Sequence, residues 1–324
     1  MATYTAVSTA EARALGALFG LDVATATGLS AGSVNTNVLL SLAGGGKAFL
    51  RVYEEQDAPG AVSEAALLVH LAARGLAVAP PLARLDGSGF VADLAGKPIA
   101  IFPWVLGEMR CQKSVRPPDA FAIGAALARV HESGSPTPRE GRFTLERLRE
   151  RCDRIEKADD SSLAAMADVL RRLLDEVASQ RLVDAPHGLC HGDLFRDNVL
   201  WQGDEISALL DFESAADGPF AFDLAVTMLA WCVGDDLDPA LARALFDGYR
   251  SVRPIDAELA RSLFPEARLA ALRFTTTRIT DYAMRAHLGA NVPRDWKRFW
   301  SRHERLVALG EDGLSAMLGI KPRS

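Results

Sequence analysis

The segment His191-Gly192-Asp193-Leu194-Phe195-Arg196-Asp197-Asn198, followed by Asp211-Phe212-Glu213, carries the strongest chemical signal in the sequence. Asp193 and Asn198 share one short loop, and Asp211 ends an apolar run at 206–210. Two carboxylates and an amide in that order suit transfer of a phosphoryl group to a hydroxyl. One carboxylate must sit beside the attacking hydroxyl and accept its proton. An amide oxygen and a second carboxylate must hold a hard divalent cation against a triphosphate. The expected roles are Asp193 as the base, Asn198 and Asp211 as metal ligands, and ATP with Mg²⁺ as cofactors. A turn merely rich in Asp and Asn, satisfied by its own backbone, is the competing reading.

His191, Asp193, Leu194 and Asn198 fall in register with the H-R-D-L-x-x-x-N catalytic loop of protein kinases, and Asp211-Phe212 with the later D-F-G. A nucleotide also needs a cradle. Residues 28–37, with Ser33, Asn35 and Asn37 among them, precede an apolar run at 38–42 and could offer donors to phosphate oxygens. The loop is neither a G-x-G-x-x-G nor a Walker sequence, and an ordinary β-turn fits it too. In the next run, Arg51 takes the place of the kinase V-A-I-K lysine, with Glu64 as its expected ion-pair partner and Lys47 as a rival cation. Phe102, Trp104 and Val105 stand where an adenine would meet backbone donors and acceptors.

The elements that must position these groups follow from periodicity. Residues 7–20 and 61–74 have helical spacing, the second stopped by Gly75. Short β-like runs are expected at 38–42 and 48–53 around a triple-glycine turn, then at 82–93 and 98–105. Helices are expected at 119–131 and twice within 144–180. Short strands return near 187–191, 197–201 and 206–212. From Pro219 onward the pattern is helical, with breaks at Gly234, Pro254, Pro265 and Pro293. This layout is α+β and bilobal. A β-rich nucleotide-binding lobe with one main helix spans 1–105, and a larger, mostly helical catalytic and substrate-binding lobe spans 106–324.

Composition narrows the function. A formal charge of −6 gives no electrostatic reason to expect a nucleic-acid partner. The most apolar run, near 224–233, is too short to cross a bilayer. The N-terminus does not read as a signal peptide. Four scattered cysteines without C-x-x-C spacing fit buried free thiols in a reducing cytoplasm. Only six of the 36 basic residues are lysines, so an arginine is a candidate for the phosphate-binding cation. A small-molecule substrate is therefore expected, with no membrane partner.

Together these residues resemble the aminoglycoside phosphotransferase family, whose fold is a variant of the protein-kinase fold. The likeness runs through Asn35-Thr36-Asn37, Arg51, Glu64, Phe102-Pro103-Trp104, the loop from His191 to Asn198, Asp211-Phe212 and Asp223-Leu224-Ala225. It implies Asp193 as the base and Asn198 and Asp211 as the metal ligands. Within the family, Ser33 to Asn37, the catalytic loop through Leu200, and Tyr249-Arg250-Ser251-Val252-Arg253-Pro254 are most similar to the bacterial homoserine kinases. Glu213 departs from that branch, which more typically has an aromatic residue there. The resemblance implies an amino-acid acceptor, L-homoserine; choline, methylthioribose and aminoglycosides are the alternatives. A zwitterion needs both a cation and an anion in its pocket. Arg196 in the loop is one candidate. Arg278, Asp281 and Tyr282, spaced as one helical face with Arg285, are others, although a solvated face would look the same.

Overall fold

A computed structural model of the chain describes residues 5–29, 34–288 and 294–320, with side chains omitted at 286–288. Its residues cluster into two compact units, Met1–Glu108 with Leu200–Glu213, and Met109–Val199 with Ser214–Ser324.

The first unit starts with α1 (Thr9–Leu18), set by a capping box: Ser8 Oγ accepts the Glu11 N–H, and Glu11 Oε2 accepts the Ser8 N–H at 2.8 Å. The strands β1 (Val23–Leu29), β2 (Thr36–Leu42), β3 (Lys47–Val52), β4 (Val91–Leu94) and β5 (Lys97–Pro103) form one antiparallel sheet, ordered β1-β2-β3-β5-β4. Alternation sorts their side chains. Val38, Leu40, Ala48, Leu50, Val52, Ile99 and Ile101 pack with Ala12, Leu15 and Phe19 into an apolar core. Residues of opposite parity, Asn37, Phe49 and Arg51, take the other face. There Arg51 lies opposite Asn37 on β2 and Ala100 on β5. Helix α2 (Ala58–Ala73), capped by the Asp57 side chain, brings buried Glu64 to Arg51.

Two sequence expectations fail in this unit. β1 was not anticipated, because it is an edge strand of Ala, Thr and Gly with only Val23 buried, so its alternation is weak. The strand expected over 82–93 shrinks to β4; before it, Asp86 accepts the Ser88 N–H at 3.0 Å and stabilises a turn between positive-φ Gly87 and Gly89. The unit is completed by a hairpin of Val199–Gln202 and Glu205–Leu209. Trp201 exchanges two backbone hydrogen bonds with Glu108, and the Leu209 N–H donates to the Ala77 carbonyl at 2.7 Å.

The second unit is helical: α3 (Pro117–Ser133), α4 (Leu145–Glu156), α5 (Ser161–Ala164), α6 (Met166–Gln180), α7 (Phe220–Trp231), α8 (Pro239–Arg250), α9 (Ala257–Asp281) and α10 (Lys297–Met317). A two-stranded pair, His187–Cys190 with Ala216–Pro219, carries the chain into and out of the segment that holds Asp193 and Asn198. Its second strand was not anticipated, since Ala216-Asp217-Gly218-Pro219 reads as a turn. Pro265 does not break α9 as expected. The carbonyl it leaves unbonded belongs to exposed Arg261, where water can serve it, and the surrounding turns are buried. The expected break at Pro293 lies outside the described residues. Among the described residues no helix is long and apolar enough to cross a membrane.

Helices α3 and α8 meet at glycines. A Cβ on Gly124 would come within 1.9 Å of the Leu245 carbonyl oxygen, and one on Gly248 equally close to the Phe121 carbonyl. No rotamer change relieves a clash with backbone. Gly124→Ala is therefore expected to cost about 3 kcal/mol or more, read as a lowered urea midpoint. A wild-type midpoint would show that the helices part freely.

Candidate active site

The segment His191–Asn198, the candidate catalytic loop, lies in the second unit. It leaves the strand His187–Cys190, turns at Gly192 and closes in a single 3₁₀ turn, Arg196–Asn198. Gly192 has φ +76°, and a Cβ there would sit 2.8 Å from the Ser214 carbonyl, so only glycine suits the turn. The Asn198 side-chain N–H donates to the Asp193 carbonyl at 2.8 Å. That bond ties the ends of the loop together and leaves the Asn198 Oδ1, the atom type a hard cation prefers, for another partner.

Asp223, at the start of α7, braces this loop from beneath. Its buried carboxylate accepts the backbone N–H groups of His191 at 2.6 Å and Gly192 at 2.8 Å, and the His131 Nε2–H at 3.1 Å. His131 Nδ1 is then the acceptor for the Tyr249 hydroxyl at 2.8 Å. Burial would raise the Asp223 pKa, but the hydrogen bond from His131, with His191 and the Gly192 N–H, outweighs it and holds it below the usual carboxylate range. Burial lowers the His131 pKa despite Asp223. The neighbouring Cys190 thiol has its pKa pushed well up by burial and bonds to the Gly218 carbonyl at 3.3 Å. His131 and Asp223 thus form a hydrogen-bonded brace beneath the loop, with the buried Cys190 thiol beside it. Cys152, Cys190 and Cys232 are buried as expected, whereas Cys111 is exposed, since it lies just before a surface 3₁₀ turn.

Asp193 has a partner that sequence reading missed. Arg273 of α9, only 3 % exposed, donates to Asp193 Oδ1 at 3.3 Å. Its guanidinium carbon lies 3.9 Å from the Phe143 ring centroid and 3.7 Å from that of Phe274. The available signal was a single arginine within the apolar run Leu269-Ala270-Ala271-Leu272-Arg273-Phe274.

The acceptor candidates are scattered differently from the expectation. Helix α9 ends at Asp281, with Tyr282 already non-helical, so Arg278, Asp281, Tyr282 and Arg285 do not form one continuous helical face. Asp281 accepts from Arg151 at 2.6 Å. Arg278 donates to the Asp295 carbonyl at 3.0 Å and lies over Phe299. Arg196 is tethered to the Ala230 carbonyl. Arg294 lies 5.9 Å from the Tyr282 ring.

In the first unit, Asp211 follows the strand Glu205–Leu209 with φ +62°, a left-handed conformation uncommon for a residue with a side chain. Two residues on, Glu213 enters a buried network. Asn35 donates to Glu213 Oε1, and Arg51 bonds the same oxygen at 3.2 Å while pairing with Glu64 at 3.5 Å. Burial opposes the Arg51 charge, but Glu64, Asp211 and Glu213 outweigh it and raise its pKa. Burial pushes the Glu64 pKa up, with Glu213 and Asp211 adding to the shift and Arg51 opposing it. Lys47 is exposed and sits over the Trp104 ring at 5.6 Å, so the ion pair with Glu64 falls to Arg51. Asn37 faces Arg51 in register, and Phe102 lies at the end of the same sheet face, 6.0 Å from Phe49. Val105 follows the end of β5 and is half-buried. Ser33 lies outside the described residues.

Residues 25–255 match the phosphotransferase enzyme family. The full chain is 34% identical over 318 residues to a homoserine kinase of Methylocella silvestris, covering 96% of this chain and 98% of that one. It is 32% identical to a homoserine kinase of Brucella melitensis, with 99% of each covered. The chain belongs to the phosphotransferase enzyme family. It is a phosphotransferase with an alcohol group as acceptor. Solved structures share its protein-kinase-like α+β fold: a spectinomycin phosphotransferase in complex with ADP and spectinomycin (TM-score 0.68, 15% identity, 97% of this chain and 98% of that one), and an amicoumacin kinase in complex with AMP-PNP and Ca²⁺ (TM-score 0.69, 17% identity, 93% of each). Across the phosphotransferase family's matched region, Arg51, Glu64, Asp193, Asn198, Asp211 and Asp223 are all present.

Proposed function

We propose that the chain is an ATP- and Mg²⁺-dependent homoserine kinase, converting L-homoserine and ATP to O-phospho-L-homoserine and ADP for threonine biosynthesis. The observation that carries this reading is similarity to homoserine kinases over nearly the whole length of both chains. Asp193 orients the acceptor hydroxyl and takes its proton as the oxygen attacks the γ-phosphorus. Arg273 fixes the direction of the Asp193 carboxylate. Asn198 and Asp211 are the proposed magnesium ligands; both offer the hard oxygen donors the ion requires. The ion, when bound, neutralises charge on the transferring phosphoryl group.

Asn35, Asn37, Arg51 and Glu64, with Ser33, are assigned to the phosphate side of ATP, and Phe102, Trp104 and Val105 to the adenine side. For the acceptor, Arg278 and Arg196 are the candidates for the carboxylate, Asp281 and Tyr282 for the ammonium end. Unpaired cysteines support a reducing cytoplasmic setting.

The test is ADP release with Mg²⁺ and ATP against homoserine, choline, methylthioribose and an aminoglycoside, with the product weighed by mass spectrometry. Homoserine is expected to exceed each alternative by at least about 10³-fold in kcat/KM, as a site with buried polar partners discriminates, and chelation of the metal is expected to stop turnover. Equal or better turnover of another acceptor would replace homoserine.

A further inference from the structure

Within the second unit, α7, the loop at 233–237 and α10 line an open cavity of about 460 Å³. Its polar lining includes Arg298, Arg302 and Arg305, together with Asp235 and Asp236. Asp236 is already engaged by Arg305. Arg302 is different: it is only 8 % exposed, and among the described residues no carboxylate or hydrogen-bond acceptor acts on its charge. What Arg302 does touch is the Phe299 ring, 4.2 Å from its guanidinium carbon, and Arg278 lies 4.5 Å from the same ring.

A ring face offers a buried cation some relief, but no counter-charge. Burial comes first in lowering the Arg302 pKa, to about 9, and Arg278, Arg298 and Arg196 add to it, with no carboxylate acting against them. Guanidinium groups nonetheless stay protonated in proteins. The Arg302 nitrogens are not sealed from solvent, so its charge is met by water through the cavity it lines. Here it faces a cavity of the size that takes small ligands, with the exposed Arg298 beside it.

We propose that this cavity binds a small anion carrying a carboxylate or a phosphate group, which supplies the charge that Arg302 lacks. The anion has two possible sources, the carboxylate of the acceptor itself or a separate effector, and kinetics tell them apart. Inorganic phosphate is the probe, compared with chloride at matched ionic strength on the full chain. Phosphate is expected to raise the wild-type Tm by about 2 °C more than that of Arg302→Met; the difference between proteins removes the general salting effect of phosphate. Arg298→Gln, an exposed substitution, is expected to weaken the phosphate response several-fold with the fold intact. A tenfold or greater rise in acceptor KM in Arg302→Met assigns the anion to the acceptor's carboxylate; an unchanged KM assigns it to a separate effector. An equal phosphate response in wild type and both variants overturns the site.

Discussion

Asp193→Asn is expected to lower kcat by about 10³-fold or more, the range lost when a positioned general base is removed. The substitution keeps the shape of the side chain, so the loss belongs to the missing proton acceptor. Stability should also fall, by about 1–3 kcal/mol, because Arg273 is left with its charge buried against two aromatic rings. The two effects can be separated. Adding Arg273→Met to Asp193→Asn is expected to recover stability and leave turnover lost. Coupled ADP release and urea unfolding read the two quantities independently. Turnover within tenfold of wild type in Asp193→Asn would remove the base assignment, whatever the stability.

The second large effect concerns Asp223. Replacing it with alanine leaves the His191 and Gly192 N–H groups and the His131 Nε2–H without their acceptor in a buried site. The expected cost is about 3–5 kcal/mol, the range for breaking a buried, hydrogen-bonded charge, with loss of activity because the loop bearing Asp193 loses its floor. The same brace gives wild type an acid sensitivity with a definite sign. The folded-state pKa of His131 is depressed, so its contribution is fully present above about pH 6.5, the unfolded value, and is lost as pH falls. Asp223 is also depressed, so its contribution is present above about pH 3.9 and fades only as pH drops through its folded value. The urea midpoint is therefore expected to fall between pH 7 and pH 5, from His131 first. A midpoint that rises on acidification would contradict the neutral buried histidine.

How much of this was legible before folding depended on where the partners lie in the chain. The loop from His191 to Asn198 and the Asp211-Phe212 pair are contiguous, so residue order and strand pattern sufficed. The Arg51–Glu64 pair followed from placing one residue on a strand and the other in the next helix. Arg273 and Phe143 could not be found that way, because they reach their neighbours from remote segments and leave no local spacing. Glu213, noted in the sequence only as a departure, turned out to bond Asn35 and Arg51. The helical face from Arg278 to Arg285 assumed that α9 continued, and the helix ends inside it. Weak edges were lost for a related reason: β1 and the strand Ala216–Pro219 owe their form to paired neighbours more than to their own residues.

The return of Leu200–Glu213 to the first unit has a consequence for biosynthesis. Arg51 leaves the ribosome 162 residues before Glu213, a delay of about 10–30 s at ordinary translation speeds. For that interval the nascent sheet carries an arginine and a glutamate with part of their final polar shell unmade. The N-terminal half of the sequence alone is accordingly a poor candidate for separate expression, and adding a hairpin equivalent to 200–213 is the natural way to rescue it.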